Sequence, residues 1–330
     1  MVVKIAIIKL GALGDVVRTT PILEALKEKY PDSEITWITK PDSREIVEDN
    51  PYVSKIITIP LKQELRNFDL LYNFDIDEQA LNLANAIRAG RKFGYYNNGG
   101  FPAAFNPCSE YYLNTIFDDE LKKSNKKTYQ EMMFEIAELP YMREKCLFYL
   151  KNKNYAEKFI EKNKINTDNL IGIHMGSSSM WPSKAWSEEK LEEFIIKAKK
   201  KGYEILVFAG PNEREKHRLF VNHLKLKGVK VFQNNPNNSI KQFASLINIC
   251  RWVICGDTFA LHIALALNKS TIALFFCTSP NEIEEYGLLK KIISPLLMDF
   301  FPEKSDLYDE NLVKSISPEE VMNALNNQQQ

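Results

Sequence analysis

Residues 3–15 read Val3-Lys4-Ile5-Ala6-Ile7-Ile8-Lys9-Leu10-Gly11-Ala12-Leu13-Gly14-Asp15. A nearly continuous aliphatic run, stopped by a glycine-containing turn, has the pattern of a parallel strand covered on both faces that hands over to a helix. Lys4 and Lys9 interrupt the run and Gly11 ends it, so it lacks the longer apolar core and small-residue cleavage site of a secretory signal. The turn offers Gly-x-x-Gly, whereas a dinucleotide fingerprint needs GxGxxG and a Walker loop needs Gly-Lys followed by Ser or Thr. Asp15 opens a predicted amphipathic helix over 15–29, closed by Tyr30-Pro31. Placed where strand gives way to helix, its carboxylate reads either as an ordinary N-cap or as a catalytic base at the mouth of a ligand cleft.

Outward from this strand the chain alternates. Strands are expected over 34–39, 55–59 and 68–74, and helices over 44–49 and 78–88, the last ended by Ala89-Gly90. A second cycle starts near residue 170, with strands over 170–174, 204–209, 229–232, 252–255 and 271–276. Between them fall helices over 187–201, 213–224, 240–249 and 261–267. Ser187 is the expected N-cap of its helix, and Glu188 and Glu189 suit the positive end of its dipole. Two helical patterns, 127–138 and 155–164, flank Pro140 between the cycles. This alternation predicts right-handed βαβ units and open parallel sheets. The chain is therefore expected to be α/β, with two Rossmann-like, doubly wound domains over residues 1–150 and 151–330, joined near 140–165. Ligands of such sheets sit beyond the carboxyl ends of the strands, which puts the expected site in a cleft between facing loops. The tail 326–330 is polar and is expected to fray.

A length of 330 residues suits two domains, and 45% hydrophobic residues supply two cores. Lys plus Arg total 43, as do Asp plus Glu. A zero balance argues against broad nucleic-acid binding, which needs surplus cations to neutralise phosphates. The five cysteines, Cys108, Cys146, Cys250, Cys255 and Cys277, form no CxxC pair. They read as reduced, buried thiols of a cytoplasmic protein, not as a disulfide or zinc framework. No apolar run approaches the ~20 residues that span a bilayer.

Three further loops could carry chemistry. After the strand at 170–174 come Gly176, Ser177, Ser178 and Ser179, whose amides and hydroxyls suit a diphosphate, and then Lys184, a point charge for a leaving phosphate. A Ser-rich surface loop with a solvated lysine is the bland alternative. After 204–209 comes Gly210-Pro211-Asn212-Glu213, where Glu213 either accepts hydrogen bonds from sugar hydroxyls or simply favours the helix start. After 252–255, Gly256-Asp257-Thr258 enters a helix carrying His262 and presents amides to an anion. A His262 satisfied by a core neighbour is the alternative there. Asp257 and His262 lie five apart and the chain has only four histidines, so no metal is expected.

Taken in order, these segments resemble glycosyltransferase family 9, the ADP-heptose:lipopolysaccharide heptosyltransferases. The resemblance runs from the first strand to about residue 285. It rests on Lys9-Leu10-Gly11-Ala12-Leu13-Gly14-Asp15 with Pro21 and Leu26, and on Trp181-Pro182-Ser183-Lys184-Ala185-Trp186. Ala209-Gly210-Pro211-Asn212-Glu213 and Gly256-Asp257-Thr258 with His262 complete it. It implies a GT-B fold in which the first domain binds the acceptor and the second the nucleotide-sugar, with a helix over 318–325 packing back on the first domain. It also implies inverting, metal-independent transfer of a heptose from ADP-heptose, without a cofactor. The implied acceptor is a hydroxyl of a lipopolysaccharide core or related glycan, lipid-linked or free.

Carried over by position, the resemblance makes Asp15 the general base and Lys184 the lysine that stabilises the departing diphosphate. Glu213, Asp257, Thr258 and His262 become donor-binding residues. Gly176, Ser177 and Ser178 fall beside the phosphates, and Asn238 near the adenine. Phe259 stands where the family motif has glycine, and Phe275-Phe276-Cys277-Thr278 replaces Phe-Gly-Pro-Thr. A phenyl ring at either place is expected to reshape the donor pocket. Arg18, Lys62 and Arg66 are candidate contacts for a phosphorylated or carboxylated acceptor. Weak, salt-sensitive contact with the cytoplasmic face of the inner membrane is expected if that acceptor is lipid-linked. Two other readings compete. A nucleotide-sugar-binding protein without turnover is motivated by Phe259, and a dinucleotide-dependent oxidoreductase is disfavoured by the missing GxGxxG.

Overall fold

The computed structural model describes residues 2–62 and 64–328. The chain divides into two compact units, Met1–Tyr149 with Asn281–Glu284, and Leu150–Pro280 with Glu285 onward. The short return segment of the first unit is fixed there by Asn281, which donates to the Asn125 carbonyl at 3.1 Å, and by the Arg143–Glu284 ion pair at 2.5 Å.

In the first unit, β1 (Lys4–Ile8) leads through the glycine turn into α1 (Leu13–Thr19) and α2 (Ile22–Lys29). β2 (Glu34–Thr39), α3 (Arg44–Val47), β3 (Lys55–Thr58), β4 (Phe68–Asn73) and α4 (Glu78–Ala86) follow. The unit continues with β5 (Ala89–Asn98), β6 (Phe101–Ala104), α5 (Glu110–Phe117), α6 (Asp119–Ser124) and α7 (Tyr129–Ile136). The sheet order is β3-β2-β1-β4-β5-β6. β1 is central and parallel to both neighbours, pairing Ile5 with Ile35 on one side and with Leu70 on the other. Burial of Ile5, Ala6, Ile7 and Ile8 explains why the strand carries no polar alternation.

The predicted helix over 15–29 is two helices. Pro21 has no N–H to donate and its ring clashes with the preceding turn, so the chain breaks between Thr19 and Ile22. Ala89-Gly90 ends no helix but starts β5, which turns at Gly99 and Gly100 (φ 61° and 97°) into antiparallel β6. The Asn98-Gly99-Gly100 sequence between aromatic runs was the available signal for that hairpin.

In the second unit, α8 (Asn154–Asn163) precedes β7 (Leu170–His174), α9 (Glu188–Lys200), β8 (Glu204–Phe208) and α10 (Arg214–Leu226). β9 (Phe232–Gln233), α11 (Ile240–Ile249), β10 (Trp252–Gly256), α12 (Phe259–Ala266) and β11 (Ser270–Phe275) continue the alternation. β12 (Leu289–Ile293), α13 (Leu297–Phe300), α14 (Glu310–Lys314) and α15 (Pro318–Asn327) close it. Ser187 caps α9 as expected, accepting the Lys190 amide at 3.3 Å. The order β12-β11-β10-β7-β8-β9 repeats that of the first sheet when each unit is numbered from its own first strand. Each sheet therefore reverses direction beside its first strand, between β1 and β4 and between β7 and β10, where open α/β sheets offer a crevice to ligands.

α15 packs within the second unit. Its buried Val321, Met322, Ala324 and Leu325 join Leu191, Phe194 and Ile195 of α9 in the second core, because its apolar stripe completes that cluster. Of the polar tail, 329–330 lie outside the described residues. Four of the cysteines are buried as expected, whereas Cys108 is exposed. Among the described residues, no helix is long and apolar enough to cross a membrane.

Candidate active site

The first unit gathers its candidate groups at the β1/β4 reversal. Asp15 is the third residue of α1, whose N-cap is Ala12 with no side-chain cap bond. The capping alternative is thereby excluded. Its Oδ1 accepts from Arg18 Nε at 3.1 Å and Nη2 at 2.8 Å. Beneath the turn, Lys9 donates to Asp75 Oδ1 at 2.5 Å and to the Phe74 carbonyl at 3.2 Å. Asp75 Oδ2 accepts the amides of Leu10 and Gly11, so one carboxylate pins the loop that precedes Asp15. Burial alone would lower the Lys9 ammonium, but the Asp75 carboxylate, with Tyr129 and Asp15, raises it well above its ordinary range.

Sequence reasoning misses Lys9 and Asp75 as site residues. A lysine inside a strand buried on both faces needs a partner, and Asp75 follows the next aliphatic strand. That was the legible signal. Arg18, by contrast, is already committed to Asp15. Lys62 is exposed, and Arg66 pairs with Glu64 on the surface. Both follow β3, the edge strand, two positions away from β1.

The second unit gathers its groups at the β7/β10 reversal. The turn after β7 brings the Lys184 carbonyl so close to Gly256 that a Cβ there would lie 2.2 Å from the oxygen. This approach sets Lys184 Nζ 3.1 Å from Asp257 Oδ2, while His262 Nε2 lies 3.7 Å from Asp257 Oδ1. Thr258 caps α12 through its backbone, and its hydroxyl lies 3.5 Å from His174 Nδ1 at the end of β7. Burial, with His217 nearby, pushes the His174 imidazole down to about 4, so the ring is neutral at physiological pH. Asp257, Thr258 and His262, neighbours in sequence, thus form one constellation with the sequence-distant Lys184 and His174.

Gly176 and Glu213 are also brought together. A Cβ at 176 would sit 2.8 Å from the Glu213 carboxyl carbon, and Glu213 Oε2 accepts the Gly210 amide at 2.8 Å. Ser177 donates to the Pro182 carbonyl at 3.3 Å, and Ser178 accepts the Met180 amide at 3.2 Å. Asn238 is held in a network, donating to Tyr155 Oη at 2.6 Å and to Gln242 at 3.2 Å. The Phe259 ring stacks on Phe243, with centroids 5.8 Å apart. Phe276 is buried in the second core, so it shapes packing and presents no ring to a ligand. A cavity of about 620 Å³ lined by Asp168, Arg251 and Lys269 lies at the opposite, amino-terminal ends of β7, β10 and β11 and contains none of these residues.

Two doubly wound units, each presenting polar and charged loops at its strand reversal, define an α/β protein. The sequence pattern of glycosyltransferase family 9 (heptosyltransferase) matches residues 101–300. Lipopolysaccharide heptosyltransferase 1 of Campylobacter coli is 24% identical over 97% of each chain. The crystal structure of a family 9 glycosyltransferase from Veillonella parvula superposes with a TM-score of 0.76 at 20% identity, covering 98% of this chain and 96% of that one. The E. coli ADP-heptose lps heptosyltransferase II superposes at 0.73 and 17% identity, covering 98% of each. The chain belongs to glycosyltransferase family 9, and its fold is of the GT-B type. It is therefore an enzyme of glycosyl transfer.

Proposed function

We propose that the enzyme transfers a heptose from ADP-heptose to a hydroxyl of a lipopolysaccharide core acceptor, with inversion and without a metal. The observation that carries this reading is the convergence of Lys184, Asp257, Thr258 and His262 at the β7/β10 reversal. A departing diphosphate gathers negative charge as the sugar leaves, and it needs preorganised positive groups more than a base. Lys184 supplies a full charge, and the start of α12 supplies amides and the Thr258 hydroxyl. Asp257 holds Lys184 in place until the donor arrives. Gly176, Ser177 and Ser178 offer amides and hydroxyls to the phosphates, Glu213 accepts from sugar hydroxyls, and Asn238 lies toward the base.

In the first unit Asp15 takes the proton of the acceptor hydroxyl as the new bond forms. The acceptor oxygen attacks the anomeric carbon on the face opposite ADP, the bond to the diphosphate breaks, and the configuration inverts. One carboxylate suffices, since no sugar–enzyme bond forms. The ADP-heptose donor and the core acceptor follow the names borne by the relatives. A lipid-linked acceptor would bring the enzyme to the cytoplasmic face of the inner membrane.

The test is mass spectrometry after incubation with ADP-heptose and a panel of truncated core oligosaccharides, with and without EDTA. A product heavier by one heptose, formed equally in EDTA, is expected. Binding of ADP-heptose without product on any acceptor would favour the non-catalytic reading, for which Phe259 stacked on Phe243 is the structural motive.

A further inference from the structure

An Asp–Arg pair three residues apart on an exposed helix is weak and mobile. The Asp15–Arg18 pair is neither. Arg18 keeps only 15% of its side chain exposed, and its guanidinium centre lies 3.9 Å from the centroid of Tyr129, a fully buried ring of α7. The same ring has Lys9 Nζ at 5.8 Å from its centroid, and its hydroxyl exchanges a hydrogen bond with Thr19 Oγ1 at 3.1 Å. One ring thus carries two cations on a mount tied to α1 itself. The position of the ring is fixed in turn by the Thr128/Glu131 capping box at the start of α7.

We propose that Tyr129 is a platform that positions Arg18 and, through it, the Asp15 carboxylate, setting its orientation and its ionised form before an acceptor arrives. The proposal rests on the reading of Asp15 as the base. Two N–H donors converge on one oxygen, Oδ1, and a planar fork of this kind fixes the rotation of the carboxylate as well as favouring its charge. The guanidinium cannot swing toward solvent without leaving the ring and uncovering its own buried contact. In this reading Arg18 serves the base.

Arg18 shares the neighbourhood of Asp15 with Lys9, Tyr112 and Tyr129. Lys9, which follows β1, is bound to Asp75, which follows β4. Burial raises the hydroxyls of Tyr129 on α7 and Tyr112 on α5, which keeps both neutral across the working range. Removal of the Arg18 charge makes the carboxylate harder to ionise, so the acidic limb of the pH–rate profile moves to higher pH.

The experiment is the pH profile of kcat/KM, read as ADP released from ADP-heptose in the presence of truncated core oligosaccharides. Arg18→Gln is expected to lower kcat/KM at neutral pH about tenfold and to move the acidic limb up by about one pH unit, with ADP affinity and melting temperature near wild type. Tyr129→Leu is expected to move the limb in the same direction, and Tyr129→Phe, which keeps the ring, to restore most of the loss. If Tyr129→Leu fails to fold, Arg18→Gln alone decides. An unmoved limb in Arg18→Gln, with wild-type kcat/KM or only a raised acceptor KM, overturns the proposal. Asp15→Asn is measured alongside. If it is fully active, the base reading fails. If it is inactive while Arg18→Gln behaves as wild type, only the positioning role fails.

Discussion

His174 shows how a residue that passes for an ordinary strand end is tuned by its surroundings. Its ring is neutral in the folded protein down to about pH 4, because burial and the neighbouring His217 oppose its charge. In the unfolded chain the same ring takes a proton near its ordinary value of 6.5. Between those values the unfolded state binds more protons than the folded one, so stability is lost as pH falls through that window. His217 is lowered too, by burial first, and acts in the same direction. The shift of His174 corresponds to at most about 3 kcal/mol. Urea midpoints measured from pH 7 to 4.5 should fall more steeply for the wild type than for His174→Asn. Parallel slopes would show that the ring is not held neutral. At this scale Asp15, Asp257 and His262 stand out as candidates because each follows a strand within one helical turn or two, and Lys184 because it closes the glycine- and serine-rich turn after β7. Tyr129 was not, since its ring meets Arg18 and Lys9 only through space.

At the scale of elements, backbone approach matters more than propensity. Gly256 ends β10 where the Lys184 carbonyl passes, and an added Cβ would lie 2.2 Å from that oxygen. Because the obstacle is backbone, no rotamer change relieves it. Gly256→Ala is expected to cost about 1–3 kcal/mol and to draw Lys184 away from Asp257. Thermal melting and calorimetric titration with ADP check this, the affinity being expected to fall about tenfold, the loss of roughly one charged contact. A variant that melts and binds ADP as the wild type does would show that the turn after β7 yields freely. The alternation of strands and helices was legible in the hydrophobic pattern. The break at Pro21 is legible in the proline itself, whose missing N–H overrides the amphipathic period. β5 was harder, because Arg91-Lys92-Phe93-Gly94-Tyr95-Tyr96 mixes charge, glycine and aromatics, and its pairing with β4 is supplied by a segment distant in sequence.

Across the whole molecule, one topology is used twice. Both sheets reverse direction beside their first strand, and both place their candidate groups there. The two cycles were readable from the sequence as repeats of the same alternation. The assignment of α15 was not, because an amphipathic stripe announces a face to be buried without naming the core that takes it. In the proposed mechanism, the first unit activates the acceptor through Asp15 and the second holds the nucleotide. The most direct measurement is Asp15→Asn, followed for melting temperature, ADP affinity and turnover of ADP-heptose on the same protein. The expected result is a native melt, wild-type ADP affinity, and kcat lower by roughly 10²–10⁴-fold, because asparagine keeps the shape of the side chain and cannot take the proton. Near-normal turnover with a native melt would contradict the role of Asp15 as the base.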